Sequence, residues 1–289
     1  MRYTGRFAPS PTGPLHFGSL VAAVGSYCDA RAAGGRWLVR MEDIDPPRAM
    51  AGASELILRQ LEGYGFEWDG EILFQHTRGE AYEAALARLQ AQGDIFWCRC
   101  SRTELARLGA RACPGSCRPF TTPREDAAIR LRVPAGLVSF EDAVFGKLAE
   151  DVAASQGDFV LRRRDGLYSY QLAVVVDDAF QGVTRVVRGA DLLDNTARQI
   201  VLQQRLGLPS PGYMHLPLAV HRDGSKLSKQ TYACALPLPA EPGLIRQALA
   251  HLGQATPPEE LNGRALLEWG VAHWQPGHIQ GHPGLAPGE

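Results

Sequence analysis

The chain has 289 residues, of which 45% are hydrophobic and 21% are charged, values typical of a globular protein with a sizeable core. Its formal net charge of −1 excludes a general electrostatic attraction to nucleic acid, so any polynucleotide must be bound by local patches. No stretch approaches the roughly 18 apolar residues of a membrane span, and the N-terminus lacks the apolar core of a signal peptide. We therefore expect a cytoplasmic protein that does not insert into membranes.

The N-terminal part predicts a strand, a loop, a helix and a second strand. Residues 3–8 form the first strand, and the proline-rich residues 9–14 form the loop. Residues 18–33 have apolar side chains at helical spacing, and residues 37–41 follow as a strand. This unit predicts a parallel sheet with a ligand at the carboxyl ends of its strands. Further helices are predicted at 53–64 and 78–92.

The passage from the loop into the first helix is a candidate phosphate site. Backbone N–H groups and the helix dipole at a helix N-terminus favour phosphate. His16, at the start of the helix, can donate a hydrogen bond to phosphate oxygens, and Gly18 lets a nucleotide approach the backbone closely. For this loop alone, a proline-rich turn with a surface histidine is the alternative.

The middle of the chain, residues 96–165, contains proline-rich turns, a predicted strand at 128–133 and four cysteines. Cys98-x-Cys100 is followed after twelve residues by Cys113-x3-Cys117. Such pairs favour a single tetrahedral zinc ion, and four thiolate ligands would leave it no open position for catalysis. Unligated reduced cysteines are the alternative.

Beyond this region the pattern predicts strands at 172–177 and 184–188 and a helix at 195–206. The apolar run at 172–176 is interpreted as a buried strand. Residues 244–252 and 261–272 predict two more helices. We infer an α/β domain formed by residues 1–95 and 166–235, an inserted domain at 96–165, and a short helical region with a tail at 236–289.

A lysine motif in residues 224–230 is a second candidate phosphate site. It contains two of the three lysines in the chain, Lys226 and Lys229, with Ser228 between them. Lysine ammonium groups can surround a triphosphate and stabilise departing pyrophosphate. By itself, a basic loop is more often a solvated surface segment.

Together, the two segments resemble the HIGH and KMSKS signatures of class I aminoacyl-tRNA synthetases. The run from Arg6 through Ala8, Pro9 and Ser10 is similar to the glutamyl and glutaminyl branch of that family, as are residues 40–46, 168–171, 174–178 and 188–193. The resemblance covers roughly residues 1–235. The signatures depart from the family pattern at four positions, which are Phe17, Ser19, Leu227 and Gln230.

This resemblance implies a Rossmann-type parallel-sheet catalytic domain with a zinc-containing insertion and a short helical C-terminal region. It also implies that ATP, with Mg²⁺, binds at seven positions: Pro9, His16, Gly18, Ser19, Lys226, Ser228 and Lys229. Among these, His16, Lys226 and Lys229 are the expected catalytic residues.

Glutamate carries two carboxylates and one ammonium, so its pocket needs two cations and one anion. Arginine forks bind carboxylates in bidentate fashion. The resemblance implies a glutamate pocket formed by six residues, which are Arg6, Ala8, Ser10, Glu42, Tyr170 and Arg188. Arg6 and Arg188 would bind the carboxylates and Glu42 the ammonium, and which arginine takes the side-chain carboxylate stays open. A second arginine favours glutamate over glutamine.

The RNA acceptor is indicated by length and by the cysteine motif. Only 60 residues follow Lys229, fewer than an anticodon-binding domain needs. The position of the zinc site, after the first half of the catalytic domain, resembles that in one branch of the family. Enzymes of this branch esterify glutamate onto queuosine, the modified wobble base of tRNA(Asp). Alternatives are a truncated enzyme that charges the 3′ end of tRNA(Glu), a nucleotidyltransferase, and a non-catalytic RNA-binding paralog. The sequence leaves the oligomeric state open, with a monomer as one expectation.

Overall fold

The computed structural model describes residues 2–107, 112–218 and 234–281. The first part contains β1 (Thr4–Phe7), α1 (Phe17–Ala32), β2 (Arg36–Met41), α2 (Ala53–Gly63), β3 (Leu73–Phe74), α3 (Gly79–Ala91), β4 (Ile95–Cys98) and α4 (Arg102–Arg107). The second part contains β5 (Ala128–Leu131), β6 (Leu137–Asp142), β7 (Gly146–Asp151), α5 (Val152–Ser155), β8 (Val160–Arg162), α6 (Tyr170–Phe180), β9 (Arg185–Gly189), α7 (Thr196–Leu206), β10 (Gly212–Leu216), α8 (Pro242–His251) and α9 (Gly263–Ala272).

The central strands are parallel, as the strand–helix–strand pattern at the N-terminus predicts. β1 pairs with β2 and β2 with β3, while β10 pairs with β9, each in parallel. β1 lies beside β9, where the backbone N–H of Thr184 donates to the carbonyl of Thr4 at 2.9 Å. Farther along both strands, Arg6 donates to the carbonyl of Val187, so β1 and β9 run in the same direction. Their carboxyl ends therefore meet at one edge of the sheet.

Two large hydrophobic cores lie in the described parts of the chain. One surrounds α1 and joins it to β1 and β2 and to α8 and α9. The other lies between α3, α6, α7 and the strands β4, β5 and β8. The two C-terminal helices predicted from the sequence are thus present and pack against the first helix of the chain. No helix in the described parts of the chain is long and apolar enough to cross a bilayer.

The strand predicted at 172–177 is wrong, because these residues belong to helix α6. Its first turn is capped by Ser169, whose hydroxyl accepts from the backbone N–H of Leu172 at 3.3 Å. The run from Leu172 to Val175 is buried without interruption, since α3 and α7 pack against this helix. A helix buried on most of its surface loses the 3.6-residue alternation that distinguishes it from a buried strand.

The region between β4 and β8 contains two structural parts. β4, β5 and β8 form a small antiparallel sheet. β6 and β7 form an antiparallel hairpin, and β6 extends the sheet of β9 and β10 through a parallel pairing of Asp142 with Tyr213. The hairpin lies within residues 96–165, so this segment contributes a strand to the sheet that carries the site described below. The boundaries of the inserted domain stay a prediction.

Candidate active site

A cavity of about 790 Å³ opens at the carboxyl edge of β1, β2 and β9. Every predicted ligand-binding residue within the described parts of the chain lines it, namely Arg6, Ala8, Pro9, Ser10, His16, Gly18, Ser19, Glu42, Tyr170 and Arg188. The other predicted residues, Lys226, Ser228 and Lys229, lie outside the described residues. The structure therefore brings together side chains that are up to 182 positions apart in the sequence.

The phosphate end of the cavity is formed by the start of α1. His16 is the N-cap of this helix, and its Nδ1 accepts a hydrogen bond from the backbone N–H of Ser19 at 3.3 Å. A neutral imidazole that accepts at Nδ1 carries its proton on Nε2. His16 therefore lies beside the positive end of a 16-residue helix dipole with Nε2 as its donor.

The described segments on either side of residues 219–233 both reach this end of the cavity. Before the gap, Pro217 and Leu218 line the cavity. After it, the N–H of Leu236 donates to the carbonyl of Leu15 at 2.7 Å. The side chain of Gln60 bridges the same two residues, since it accepts from Leu15 N–H at 2.8 Å and donates to the Leu236 carbonyl at 2.7 Å. The described residues that flank 219–233 on both sides therefore lie close to the start of α1.

A buried charge cluster forms one wall of the cavity. The Asp178 carboxylate contacts Nε of Arg6 at 3.1 Å and a terminal nitrogen of Arg40 at 2.8 Å. Another ion pair joins Arg40 to Glu42 at 3.5 Å. Burial alone would raise the pKa of Asp178, but the two guanidinium groups hold it below its usual value. Burial raises the pKa of Glu42, and Arg40 and then Arg6 oppose this only in part.

Arg188 lies on β9 and is held by neutral partners. Its Nε donates to His215 at 3.0 Å, and its terminal nitrogens donate to Gln199 and Thr196, each at 2.9 Å. The Tyr170 hydroxyl lies 3.4 Å from one terminal nitrogen. Burial and the nearby Glu42 raise the pKa of Tyr170, so its hydroxyl stays protonated and can donate. Within the described residues Arg188 makes no ion pair.

Several residues that shape the site were not predicted as site residues. Arg40 and Asp178 stood within segments that carry the family resemblance, but no local signal assigned them to a shared ion pair. His215 and Asp142 form a buried pair behind Arg188, with 2.7 Å between Nδ1 and a carboxylate oxygen. A lone histidine or aspartate in a strand pattern gives no sign that the fold pairs it with a residue 73 positions away.

The four predicted cysteine ligands form a compact cluster beside Phe96. Their sulfur atoms all lie within 4.8 Å of one another and could hold a metal ion. Sγ of Cys100 is 3.8 Å from that of Cys113 and 3.7 Å from that of Cys117. A tetrahedral ion with metal–sulfur bonds of about 2.3 Å requires sulfur–sulfur distances of about 3.8 Å. These two sulfur–sulfur distances therefore match those around a tetrahedral zinc ion.

The pKa values of two thiols in the cluster are shifted in opposite directions. Burial raises the pKa of Cys100, and the neighbouring sulfurs add to this effect. Burial would also raise the pKa of Cys113, but N–H groups of Cys117 and Gly115 that point at its sulfur lower it below the usual value. Backbone N–H groups directed at a thiolate are a typical second layer around a structural metal.

The parallel sheet, the cavity at its carboxyl edge and the loop that leads into α1 at His16 are the features of an adenylate-forming catalytic domain. The chain belongs to the family of class I tRNA synthetases for E and Q, because the model of that catalytic domain matches residues 3–238.

Similar proteins narrow this assignment. A glutamyl-Q tRNA(Asp) synthetase of Ectopseudomonas mendocina is 56% identical over 275 residues, which cover 94% of this chain and 93% of that protein. One of Thiobacillus denitrificans is 54% identical over 293 residues, 98% of this chain and 96% of that protein. The crystal structure of a glutamate-tRNA synthetase from Elizabethkingia anophelis superposes with a TM-score of 0.81 at 23% identity, over 97% of this chain and 67% of that one. This last similarity concerns the fold alone.

Proposed function

We propose that this protein is an ATP-dependent ligase that activates L-glutamate as glutamyl-adenylate and transfers it to queuosine at the wobble position of tRNA(Asp). The observation that carries the acceptor is the name shared by relatives that are 54% and 56% identical over nearly the whole chain. The choice of glutamate has separate support from the charges that line the cavity, and the two parts can be tested separately.

Charge balance favours Arg188 as the partner of the glutamate side-chain carboxylate. Arg6 is already neutralised by Asp178, whereas the described partners of Arg188 are all neutral. A guanidinium held in a buried site without a carboxylate gains most from a ligand that supplies one. Tyr170 would donate a second hydrogen bond to the same carboxylate. Glutamine offers no charge for this position, so the arrangement favours glutamate.

The ammonium and the α-carboxylate would then occupy the rest of the pocket. Glu42 would bind the ammonium, with Ala8 and Ser10 beside it, and Arg6 would orient the α-carboxylate toward the nucleotide at Pro9, Gly18 and Ser19. An oxygen of this carboxylate attacks the α-phosphorus of ATP, the bond to pyrophosphate breaks, and glutamyl-adenylate forms. A hydroxyl of the RNA then attacks the carbonyl carbon, loses its proton, and AMP leaves.

Catalysis of these steps needs positioning and charge stabilisation rather than a nucleophilic side chain. Nε2–H of His16 would donate to phosphate oxygens as negative charge builds up. From the sequence motif, Lys226, Ser228 and Lys229 would stabilise the departing pyrophosphate. Mg²⁺ would neutralise part of the triphosphate charge when ATP is bound.

For the cysteine cluster we propose a structural zinc ion with Cys98, Cys100, Cys113 and Cys117 as its ligands. The support is the sulfur spacing and the set of four thiol donors, which suits zinc and leaves no open coordination position. The ion would join the segments on either side of the cysteine motif beside Phe96, where the described apolar cluster consists only of this ring and the cysteines.

A transfer assay tests the acceptor. Purified protein, ATP and labelled glutamate are incubated with three RNAs: queuosine-containing tRNA(Asp), tRNA(Asp) that lacks queuosine, and tRNA(Glu). We expect label only on the first. Label on the 3′ end of tRNA(Glu) would make this an enzyme that charges tRNA(Glu), and no label on any RNA would contradict a ligase function.

Two variants on the same strand test the amino-acid site. Arg188→Gln should raise the KM for glutamate roughly hundredfold in ATP–pyrophosphate exchange, because it removes a buried charge-assisted contact. Arg185→Gln removes an arginine three positions earlier that pairs with Asp29 and is partly exposed, so its KM should match the wild type. Equal KM values in both variants would place Arg188 outside the glutamate pocket.

A further inference from the structure

Behind Arg188 lies a chain of buried polar groups that ends on the β6–β7 hairpin. The Nε of Arg188 donates to Nε2 of His215 at 3.0 Å, and Nδ1 of His215 lies 2.7 Å from a carboxylate oxygen of Asp142. The backbone N–H of His215 donates to the same oxygen at 3.1 Å. His215 and Asp142 have almost no solvent exposure, and neither lines the cavity.

The protonation state of this chain follows from its surroundings. Burial, and then the charge of Arg188, lower the pKa of His215 even though Asp142 opposes them. Burial would raise the pKa of Asp142, but His215 and the backbone N–H groups of Val144 and Phe145 keep it below the usual value. His215 is therefore a neutral imidazole that donates from Nδ1 to a carboxylate and accepts at Nε2 from Arg188.

Hydrogen bonds fix the orientation of the side chains of Asp142, His215 and Arg188. The Asp142 oxygens are used by four N–H groups, two from the hairpin turn and two from His215. These hydrogen bonds fix the orientation of the His215 ring. The ring in turn fixes the orientation of the Arg188 guanidinium through the hydrogen bond at Nε. The remaining N–H groups of Arg188 are then directed at Thr196, Gln199, Tyr170 and the cavity.

We propose that His215 and Asp142 are positioning residues for glutamate, which set the orientation in which Arg188 meets the substrate carboxylate. This proposal rests on the proposed glutamate function. Loss of the acceptor at His215 would leave the Nε–H of Arg188 buried without a partner, and the guanidinium would turn to find another. A bidentate contact with a carboxylate depends on the plane of the guanidinium, so a rotated Arg188 keeps its charge but loses the paired hydrogen bonds.

The proposal also gives the β6–β7 hairpin a role in the active site. Asp142 is the last residue of β6 and accepts from the backbone of its own turn as well as from β10. A segment that sequence reasoning placed in the inserted domain would thus control the geometry of the amino-acid pocket.

Two variants of His215 separate positioning from a general structural role. His215→Leu removes the side-chain hydrogen bonds to Arg188, Asp142 and Thr196. The side chain of His215→Gln can accept from Arg188 through Oε1 and donate to Asp142 through Nε2. In ATP–pyrophosphate exchange, with and without tRNA, we expect the leucine variant to raise the KM for glutamate roughly tenfold or more. The KM for ATP should stay within about twofold of the wild-type value, and the glutamine variant should recover most of the glutamate affinity.

A second measurement is independent of whether the leucine variant folds. In the wild type, protonation of His215 removes its acceptor, so glutamate binding followed by calorimetry should weaken as the pH falls through the pKa of His215, which lies below the usual histidine value. The charged groups that face this imidazole are Asp142, Arg188 and Arg6. The glutamine variant cannot be protonated at this position, so its affinity should change less.

The outcomes are distinct. Absence of glutamate-dependent exchange in the wild type would refute the proposed function. Normal wild-type exchange together with an unchanged glutamate KM in His215→Leu would refute only the positioning role. Equal rises in the KM for glutamate and for ATP, or identical pH dependence in wild type and His215→Gln, would also overturn it.

Discussion

Replacing Arg40 by methionine tests whether the buried charge cluster keeps Glu42 able to bind an ammonium. Arg40 is fully buried on β2 and contacts Asp178 at 2.8 Å, Glu42 at 3.5 Å and the side chain of Gln181 at 2.8 Å. Methionine has a similar length and no charge, so it fills most of the space without replacing the ion pairs. The variant leaves Asp178 paired with Arg6 and removes the ion pair of Glu42 with Arg40.

The expected loss of stability is large. Removing one partner of a buried ion pair costs about 3–5 kcal/mol, because the other charge stays buried without compensation. At an unfolding entropy of about 2.1 cal/mol/K per residue, the free energy of unfolding of a chain of this length changes by about 0.6 kcal/mol for each kelvin near the melting temperature. The melting temperature should therefore fall by about 5–8 °C.

The same change should weaken glutamate binding in a pH-dependent way. Burial already raises the pKa of Glu42, and Arg40 is the strongest influence that lowers it. Without Arg40 the pKa rises further, a larger share of Glu42 is protonated at pH 7, and the ammonium of glutamate loses its anion. We expect a glutamate KM roughly tenfold higher at pH 7 that improves as the pH rises toward 9, because the carboxyl ionises again.

Arg36→Met is the matched control, because Arg36 lies on the same strand, is partly exposed and makes no ion pair among the described residues. Melting curves and glutamate titrations of ATP–pyrophosphate exchange measure both effects. The reasoning fails if Arg40→Met melts no lower than Arg36→Met, or if its glutamate KM equals that of the wild type at pH 7.

Further predictions concern the metal, the hydrogen bonds of Gln60 to Leu15 and Leu236, acid stability and a tight turn. Cys117→Ala should reduce bound zinc from about one ion per chain to a small fraction, as measured by elemental analysis. Gln60→Leu leaves two buried backbone groups unpaired and should raise the KM for ATP severalfold while that for glutamate changes little. The lowered pKa of Asp178 stabilises the fold above about pH 4 and this contribution is lost as the pH falls further, so Asp178→Asn should melt with a flatter dependence between pH 5 and 3. Gly65→Ala should melt well below Gly93→Ala, because both have positive φ but only at Gly65 would the Cβ lie 2.6 Å from a backbone nitrogen of α9.

Sequence alone was sufficient where the relevant interactions are local. The proline-rich loop, the helix that begins after His16 and the four cysteines each lie within a short segment, so their spacing carries the information. The predicted strands and helices around the first core were also confirmed, because amphipathic periodicity reports directly which face is buried. Ten of the residues that line the cavity were predicted from motifs that the parallel topology brings to one edge of the sheet.

Tertiary structure decided what depends on contacts between distant segments. The run at 172–176 is a helix, because packing on several sides erased the periodicity that would have marked it as one. The pairing of Arg40 with Asp178, and of His215 with Asp142, joins residues whose separation in sequence gives no clue to their contact. A buried charge or imidazole acquires its protonation state and its role from the groups packed around it, and those groups are assembled only when the chain folds.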